Sequence, residues 1–382
     1  MRVLHYTAKF SVQSETFIYD QINSLSQYLE RNAVVTSQVL NLESRPYRDL
    51  HRIPLKRFLP FRVTQKLAFG LEYLPRFIDY SAWREKLNEI NPDIVHCHMG
   101  NGAKTWLHVR KKLGVNTPTV ISFHGSDVTM EPLIKKRYRQ IFAEVALDPN
   151  IIWTVPSEFL KRKAIKHLSL QQEKVVVVNN AVNPVFCADR GFKEEYTSPK
   201  VLMVGRFIDC KGQEVLLEAF GALIDEYPEA TLTFVGSGPN QQLIKNRIES
   251  MGLKKAVKII DRLSHNEIAQ AMLSHNLYVQ PSIKDINTQQ EESFGVAALE
   301  ALAIGLPVIV SDCGGLPEVA KASPECIVAP AGNVQELGKA IVSVFNKNYK
   351  LPLQSANNMR NNFSQGSNRN KILKLYSHLS HS

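Results

Sequence analysis

The sequence predicts an α/β protein of two Rossmann-like, doubly wound domains, and three observations predict it. Short β-branched runs alternate with longer amphipathic stretches along the whole chain, the rhythm of right-handed strand–helix–strand crossovers. The strand-like runs are nearly continuous apolar segments, as a parallel sheet covered on both faces requires. A chain of 382 residues also exceeds one typical core and suits two domains of about 150–200 residues.

Taken in order, RVLHYT, DIVHCHM, PTVISFHG, IIWTVPS and VVVVNNA read as strands in the first half. Between them SETFIYDQINSLSQYLE and AKTWLHVRKKLG carry apolar residues at helical spacing. In the second half KVLMVGRF, ATLTFVGSG, AVKIID, LYVQPS and PVIVSD are the strands. Their helices are GQEVLLEAFGALIDEYP, NQQLIKNRIESMG, HNEIAQAMLSHN and FGVAALEALAIG. The polar, proline-containing stretch Asn183 to Lys200 separates the two sets. We therefore expect domains at residues 1–183 and 184–360, with a final helix in 361–382 packing back on the first.

Composition narrows the function. Hydrophobic content of 44% and charged content of 21% are ordinary for a soluble globular protein. No run approaches ~18 consecutive apolar residues, and the N-terminus lacks a signal-peptide core. The five cysteines, Cys97, Cys187, Cys210, Cys313 and Cys326, are scattered and odd in number. Reduced thiols in a cytoplasm fit that pattern better than disulfides or a zinc site. Residues 1–180 hold 26 Lys+Arg against 16 Asp+Glu, so the whole formal charge of +10 lies in the first half. It clusters at Lys56 to Lys66, Arg110 to Lys112, Lys135 to Arg139 and Lys161 to Lys166. A basic face of this kind favours an anionic partner, such as a membrane surface.

The chemistry is expected beyond the carboxyl ends of the strands, where loops meet helix N-termini. After KVLMVG come Arg206 and Lys211, a fork and a point charge suited to clamping a diphosphate. Gly236 opens a tight GSGP turn after TLTFV, which lets a ligand approach the backbone. After LYVQPS a polar loop leads to Glu292 and a helix expected from about Phe294. The amides of Phe294, Gly295 and Val296 would then be the open donors of that helix. Glu300 follows Glu292 by eight residues, near the same side of the helix, where a carboxylate can hold paired ribose hydroxyls.

These segments resemble the family-4 glycosyltransferases, retaining enzymes of the GT-B fold. VGRFIDCKGQEVLLEAF is similar to that family's donor-phosphate segment and FVGSGP to its glycine turn. PSIKDINTQQEESFGVAALEALAIGLPVIVSDCGGLPEVA is similar to its Glu-x7-Glu signature with the following Gly-Gly-x-x-Glu loop. FHGSD resembles its His-Gly-x-Asp loop, and SETFIYDQI a subset active in bacterial exopolysaccharide and lipopolysaccharide synthesis.

The resemblance implies that Arg206 and Lys211 hold the donor diphosphate and stabilise the leaving group. Glu300 would bind the ribose, Glu292 the donor sugar, and the Phe294 to Val296 amides would complete the pocket. His124 would contact the sugar from the other domain, and Ser14, Glu15 and Thr16 would close on the phosphates. The family's usual Gly-Gly loop is absent at that last position. His96 and His98 either face the acceptor or are buried structurally.

The implied reaction moves a sugar with retention from a nucleoside-diphosphate sugar, UDP-linked or GDP-linked, to a glycan or lipid-linked acceptor. It needs no cofactor and no metal, and the sequence holds no Asp-x-Asp. Peripheral contact with the inner membrane through the basic half is expected, at its cytoplasmic face, and no nucleic-acid partner. A sugar-nucleotide 2-epimerase and a non-catalytic sugar-nucleotide-binding protein are the alternatives. An NAD-dependent dehydrogenase is excluded, because HYTAKFSVQSE after the first strand contains no glycine.

Overall fold

The computed structural model describes residues 1–12, 14–54, 78–187, 198–346 and 351–380. The chain forms two compact units. One comprises Met1–Pro156, Lys161–Val178 and Asn368–Ser382, the other Ser157–Leu160 and Asn179–Ser367. The basic stretch Lys56 to Lys66 and residues 188–197 of the separating segment lie outside the described residues.

The first unit holds a seven-stranded parallel sheet in the order β3-β2-β1-β4-β5-β6-β7. Its strands are β1 (Arg2–Phe10), β2 (Arg31–Val39), β3 (Leu50–Arg52), β4 (Ile94–His98), β5 (Thr119–Ser122), β6 (Ile151–Val155) and β7 (Val175–Val177). β2 and β3 were not anticipated from the sequence. β2 buries Asn32, Ala33, Val34, Val35 and Thr36, but only Ala33 to Val35 form a continuous apolar run. β3 has three residues, too few to show a period. On one face of this sheet Ile372, Tyr376 and Leu379, from the helix Gln365–Ser380, pack on Val3, Ile94 and Val120.

The second unit has six parallel strands in the order β10-β9-β8-β11-β12-β13. They are β8 (Lys200–Val204), β9 (Thr231–Val235), β10 (Val257–Ile260), β11 (Leu277–Gln280), β12 (Val308–Ser311) and β13 (Ile327–Ala329). β13 is again a three-residue strand with no pattern of its own. The helix Val296–Ala303 is buried almost all round, Ala298, Leu299, Ala301, Leu302 and Ala303 being fully covered. Both sheets reverse strand order once, between β1 and β4 and between β8 and β11. Open α/β sheets hold their ligands at such switch points.

Candidate active site

In the second unit the switch point brings together the loops after β8 and β11. The loop after β8 carries Arg206, which is exposed, and Lys211. Gly212 stands at φ 73°, and a Cβ there would lie 2.1 Å from the Pro281 carbonyl oxygen, so only glycine fits. This packing, with the Ile283 amide donating to the Cys210 oxygen at 3.0 Å, fixes the loop after β8 against the loop after β11. Across it, Lys211 Nζ donates to Glu292 Oε2 at 2.6 Å. Gln280 Nε2 donates to the same oxygen at 2.7 Å, and Ser282 Oγ lies 3.4 Å away.

Burial pushes the Glu292 carboxyl up, but the Lys211 ammonium and the two neutral donors outweigh it and hold the group below its usual range. Glu292 is therefore an anion at neutral pH. The neighbouring thiols are not nucleophiles, since burial raises Cys210 to about 11 and Cys313 to about 12. Glu300 sits on the Val296–Ala303 helix and is only 8% exposed, so it is not a solvent-facing helical residue. The charges of Glu292 and Glu300 both act on the buried Tyr278 hydroxyl, so the two carboxylates share one neighbourhood.

The glycine turn has a comparable packing reason. Gly236 (φ 140°) and Gly238 face the backbone of Gly205 and Phe207, where Cβ atoms would come to 2.0 and 2.3 Å. Gly314 (φ 64°) and Gly315 likewise stack on the carbonyls of Glu292 and Ser293.

In the first unit a row of histidines crosses β1 and β4. His5 Nδ1 lies 3.1 Å from His98 Nε2. His96 Nδ1 meets the Tyr376 hydroxyl at 2.6 Å, and His96 Nε2 meets Ser122 Oγ at 2.6 Å. Burial drives all of them towards the neutral form, His5 to about 3 and His96 and His98 well below their ordinary value. Beyond β5, the Asp127 carboxylate accepts from the amides of Gly100, His124 and Gly125. Burial raises Asp127 to about 6 despite those donors. The loop so fixed presents His124, also lowered by burial to about 3, with both ring nitrogens unpaired among the described residues.

The sequence profile described as Glycosyl transferases group 1 matches residues 188–366, and that of Glycosyltransferase Family 4 matches residues 16–186. Together they span most of the chain. It belongs to the family-4-type glycosyltransferases of the GT-B fold. The chain is 23% identical over 376 residues to the amylovoran biosynthesis glycosyltransferase AmsK of Erwinia amylovora, covering 90% of each. It is 28% identical to the sulfoquinovosyl transferase SQD2 of Arabidopsis thaliana, over 70% of this chain and 51% of that protein. Among solved structures, Anabaena HepE in complex with UDP-glucose superposes with a TM-score of 0.77 at 16% identity, covering 99% of this chain and 100% of that one.

In this glycosyltransferase Lys211 and Glu292 are joined directly, with Arg206 five residues before Lys211 on the same loop. The helix expected from Phe294 begins at Val296, with Gly295 as its N-cap at φ 100°. Phe294 precedes it as a core residue, 1% exposed and 6.0 Å from the Phe363 ring. The open amides are thus shifted two residues onward from the expected start. Ser14, Glu15 and Thr16 mark the entry of the helix Thr16–Leu25, whose N-cap, Glu15, makes no side-chain cap. His96 is a core residue, both nitrogens being used by hydroxyls.

Gln280, Ser282 and His5 belong to these sites and were not singled out from the sequence. The signal for Gln280 was a polar residue closing an otherwise apolar strand. Ligand atoms of His5, His96 and His98 lie within 4.8 Å of one another. Their rings nevertheless stack, His96 on His98 at 4.2 Å and 27°, where metal ligands would converge their lone pairs. The group suits a hydrogen-bonded core better than an ion.

Proposed function

We propose that this glycosyltransferase is a retaining enzyme that takes a sugar from a nucleoside-diphosphate donor, UDP-linked in the first instance. The acceptor is a glycan or a lipid-linked saccharide of bacterial surface polysaccharide synthesis. The ion pair of Lys211 with the buried, ionised Glu292 at 2.6 Å carries the proposal. That pair sets a fixed cation and a fixed anion side by side at the switch point. Lys211 keeps two further ammonium protons for diphosphate oxygens, and exposed Arg206 supplies a planar fork beside it. Glu300 accepts the ribose hydroxyls. Glu292 faces the transferred sugar, where positive charge grows as the glycosyl–phosphate bond breaks.

For His124 we propose a hydrogen bond to the sugar, made by a neutral imidazole. Departing diphosphate is stabilised by Arg206, Lys211 and the amides at the start of the Val296–Ala303 helix. Those groups do the work a divalent cation would do, so the reaction runs without a metal. Retention follows from same-face attack, with the leaving phosphate taking the acceptor proton. Glu292 is committed to three donors, which disfavours it as a nucleophile in a double displacement. The membrane-side location proposed for the enzyme, at the cytoplasmic face of the inner membrane, rests on the basic first half.

A thermal-shift titration with UDP, GDP and ADP, on wild type and Glu300→Ala, tests the donor site. A ligand at ~100 times its dissociation constant adds about 2.7 kcal/mol of stability. One nucleoside diphosphate should stabilise the wild type, and the variant much less. Equal shifts in both proteins would remove Glu300 from the ribose.

A further inference from the structure

The loop that carries Glu292 has no helix or strand to hold it, since residues 281–295 lie between β11 and the Val296–Ala303 helix. Where the loop runs past Glu292, its backbone is held by the few groups that take up its carbonyls. The Glu292 oxygen accepts from the Gly315 amide at 2.8 Å. The Ser293 oxygen accepts from Ser157 Oγ at 2.6 Å, a bond between residues 136 apart in sequence. Ser157 is fully buried. The same hydroxyl oxygen accepts the Leu160 amide at 3.1 Å, so Ser157 is also the N-cap of the helix Glu158–Leu168. The Glu318 carboxylate takes two further amides at the start of that helix, Glu158 at 2.8 Å and Phe159 at 2.6 Å. Glu318 follows Gly314 and Gly315, which stack on the Glu292 and Ser293 carbonyls. Ser157–Leu160 belongs to the second unit with all of these partners.

The geometry points to Ser157 as a positioning residue for Glu292. Its hydroxyl hydrogen holds the carbonyl of Ser293, the residue after Glu292, while its oxygen is fixed by the start of a helix that Glu318 holds in turn. Carboxylate placement against the donor sugar then depends on a serine from the first half of the sequence. The inference rests on the role proposed for Glu292, and its test separates the two.

Three substitutions divide the functions of the hydroxyl. Ser157→Ala removes the donor and the cap. Ser157→Gly removes the donor but costs the helix cap only a few tenths of a kcal/mol. Ser157→Thr keeps both. Each is compared with wild type and Glu292→Gln for release of nucleoside diphosphate from UDP-, GDP- and ADP-sugars. Nucleoside diphosphate affinity and hydrogen exchange across residues 289–297 are measured alongside. The expected result is a kcat lower by about 10- to 100-fold in both Ala and Gly variants, with faster exchange in the loop. Nucleoside diphosphate affinity should stay within about twofold, and Thr should restore turnover and protection.

A Gly variant with wild-type kcat and wild-type exchange would overturn the inference. So would a loss of affinity parallel to the loss of kcat. Wild-type turnover in Glu292→Gln would sink the role of Glu292 and, with it, the catalytic consequence drawn for Ser157. Exchange in the Gly variant decides whether Ser157 holds the loop, whether or not the wild type releases nucleoside diphosphate from these sugars without an acceptor.

Discussion

Lys211 and Glu292 show what a sequence reveals about single residues and what it conceals. Both stand out as charges beyond the ends of apolar strands, but nothing in a spacing of 81 residues says that they meet. Their pairing follows from the strand order, which sets β8 beside β11. Gln280 and Ser282 become visible as partners only once that neighbourhood exists. The pair also makes the two residues unequal in stability. Lys211→Met strands a carboxylate that is 10% exposed with two neutral donors, and breaking such a pair costs about 3 kcal/mol at the lower end. For a domain of this size that is a fall in Tm on the order of 6–12 °C. Glu292→Gln leaves Lys211 an amide oxygen and 20% exposure to water, so its Tm should stay within a few degrees. Calorimetry of the two variants checks this, and equal destabilisation would show that the ion pair contributes nothing beyond side-chain packing.

Elements were legible where they were uniformly apolar, as in the three-residue β7, and illegible where the apolar run was broken or brief, as in the nine-residue β2. β3 and β13 have three residues each, and their strand state comes from a neighbour's ladder instead of their own pattern. The basic stretch Lys135 to Arg139 is a different case, where only the structure sorts charges by availability. Lys135 is paired with Glu131 at 2.6 Å. In the helix Lys136–Val145, Tyr138 and Phe142 turn inward, leaving Lys136, Arg137 and Arg139 exposed. Beside them Leu133 and Ile134 are 42% and 61% exposed. By contrast Arg110, from another basic cluster, is buried and paired with Asp148. Three exposed cations next to two exposed aliphatics suit an anionic bilayer, each cation adding about 1 kcal/mol near the surface. Sedimentation with phosphatidylglycerol vesicles should carry the protein down at low salt. Lys136→Glu/Arg137→Glu/Arg139→Glu should abolish that binding, and Leu133→Ser/Ile134→Ser should weaken it. Equal binding to neutral vesicles would refute the electrostatic component.

At the scale of the molecule the two units differ in how they answer to acid. The sequence shows the charge imbalance and the two-residue spacing of His96 and His98, which sets them on one sheet face. It does not show that His5 and His124 are buried with them, because that depends on strand order and on one loop. All four histidines have pKa values depressed in the folded state. The unfolded chain binds protons near pH 6.5 and the folded unit does not. Their stabilisation is therefore present above pH 6.5 and lost as pH falls, by about 1.4 kcal/mol per histidine per pH unit. Asp127 acts in the opposite sense. Its carboxyl, raised to about 6, binds a proton more readily when folded and returns about 1.4 kcal/mol by pH 5. One carboxyl does not offset four imidazoles, so the first unit should lose several kcal/mol between pH 7 and 5. Glu292 of the second unit, held below its usual range, is still ionised through most of that interval. All three tryptophans, Trp83, Trp106 and Trp153, are buried in the first unit, so fluorescence reports that unit alone. Urea unfolding followed by tryptophan emission should show a midpoint that falls steadily from pH 7 to 5. His5→Asn and His98→Asn, neutral at every pH, should flatten that slope even where they lower the midpoint at pH 7. A slope unchanged in both variants would mean that the row is not the acid-sensitive part of the unit.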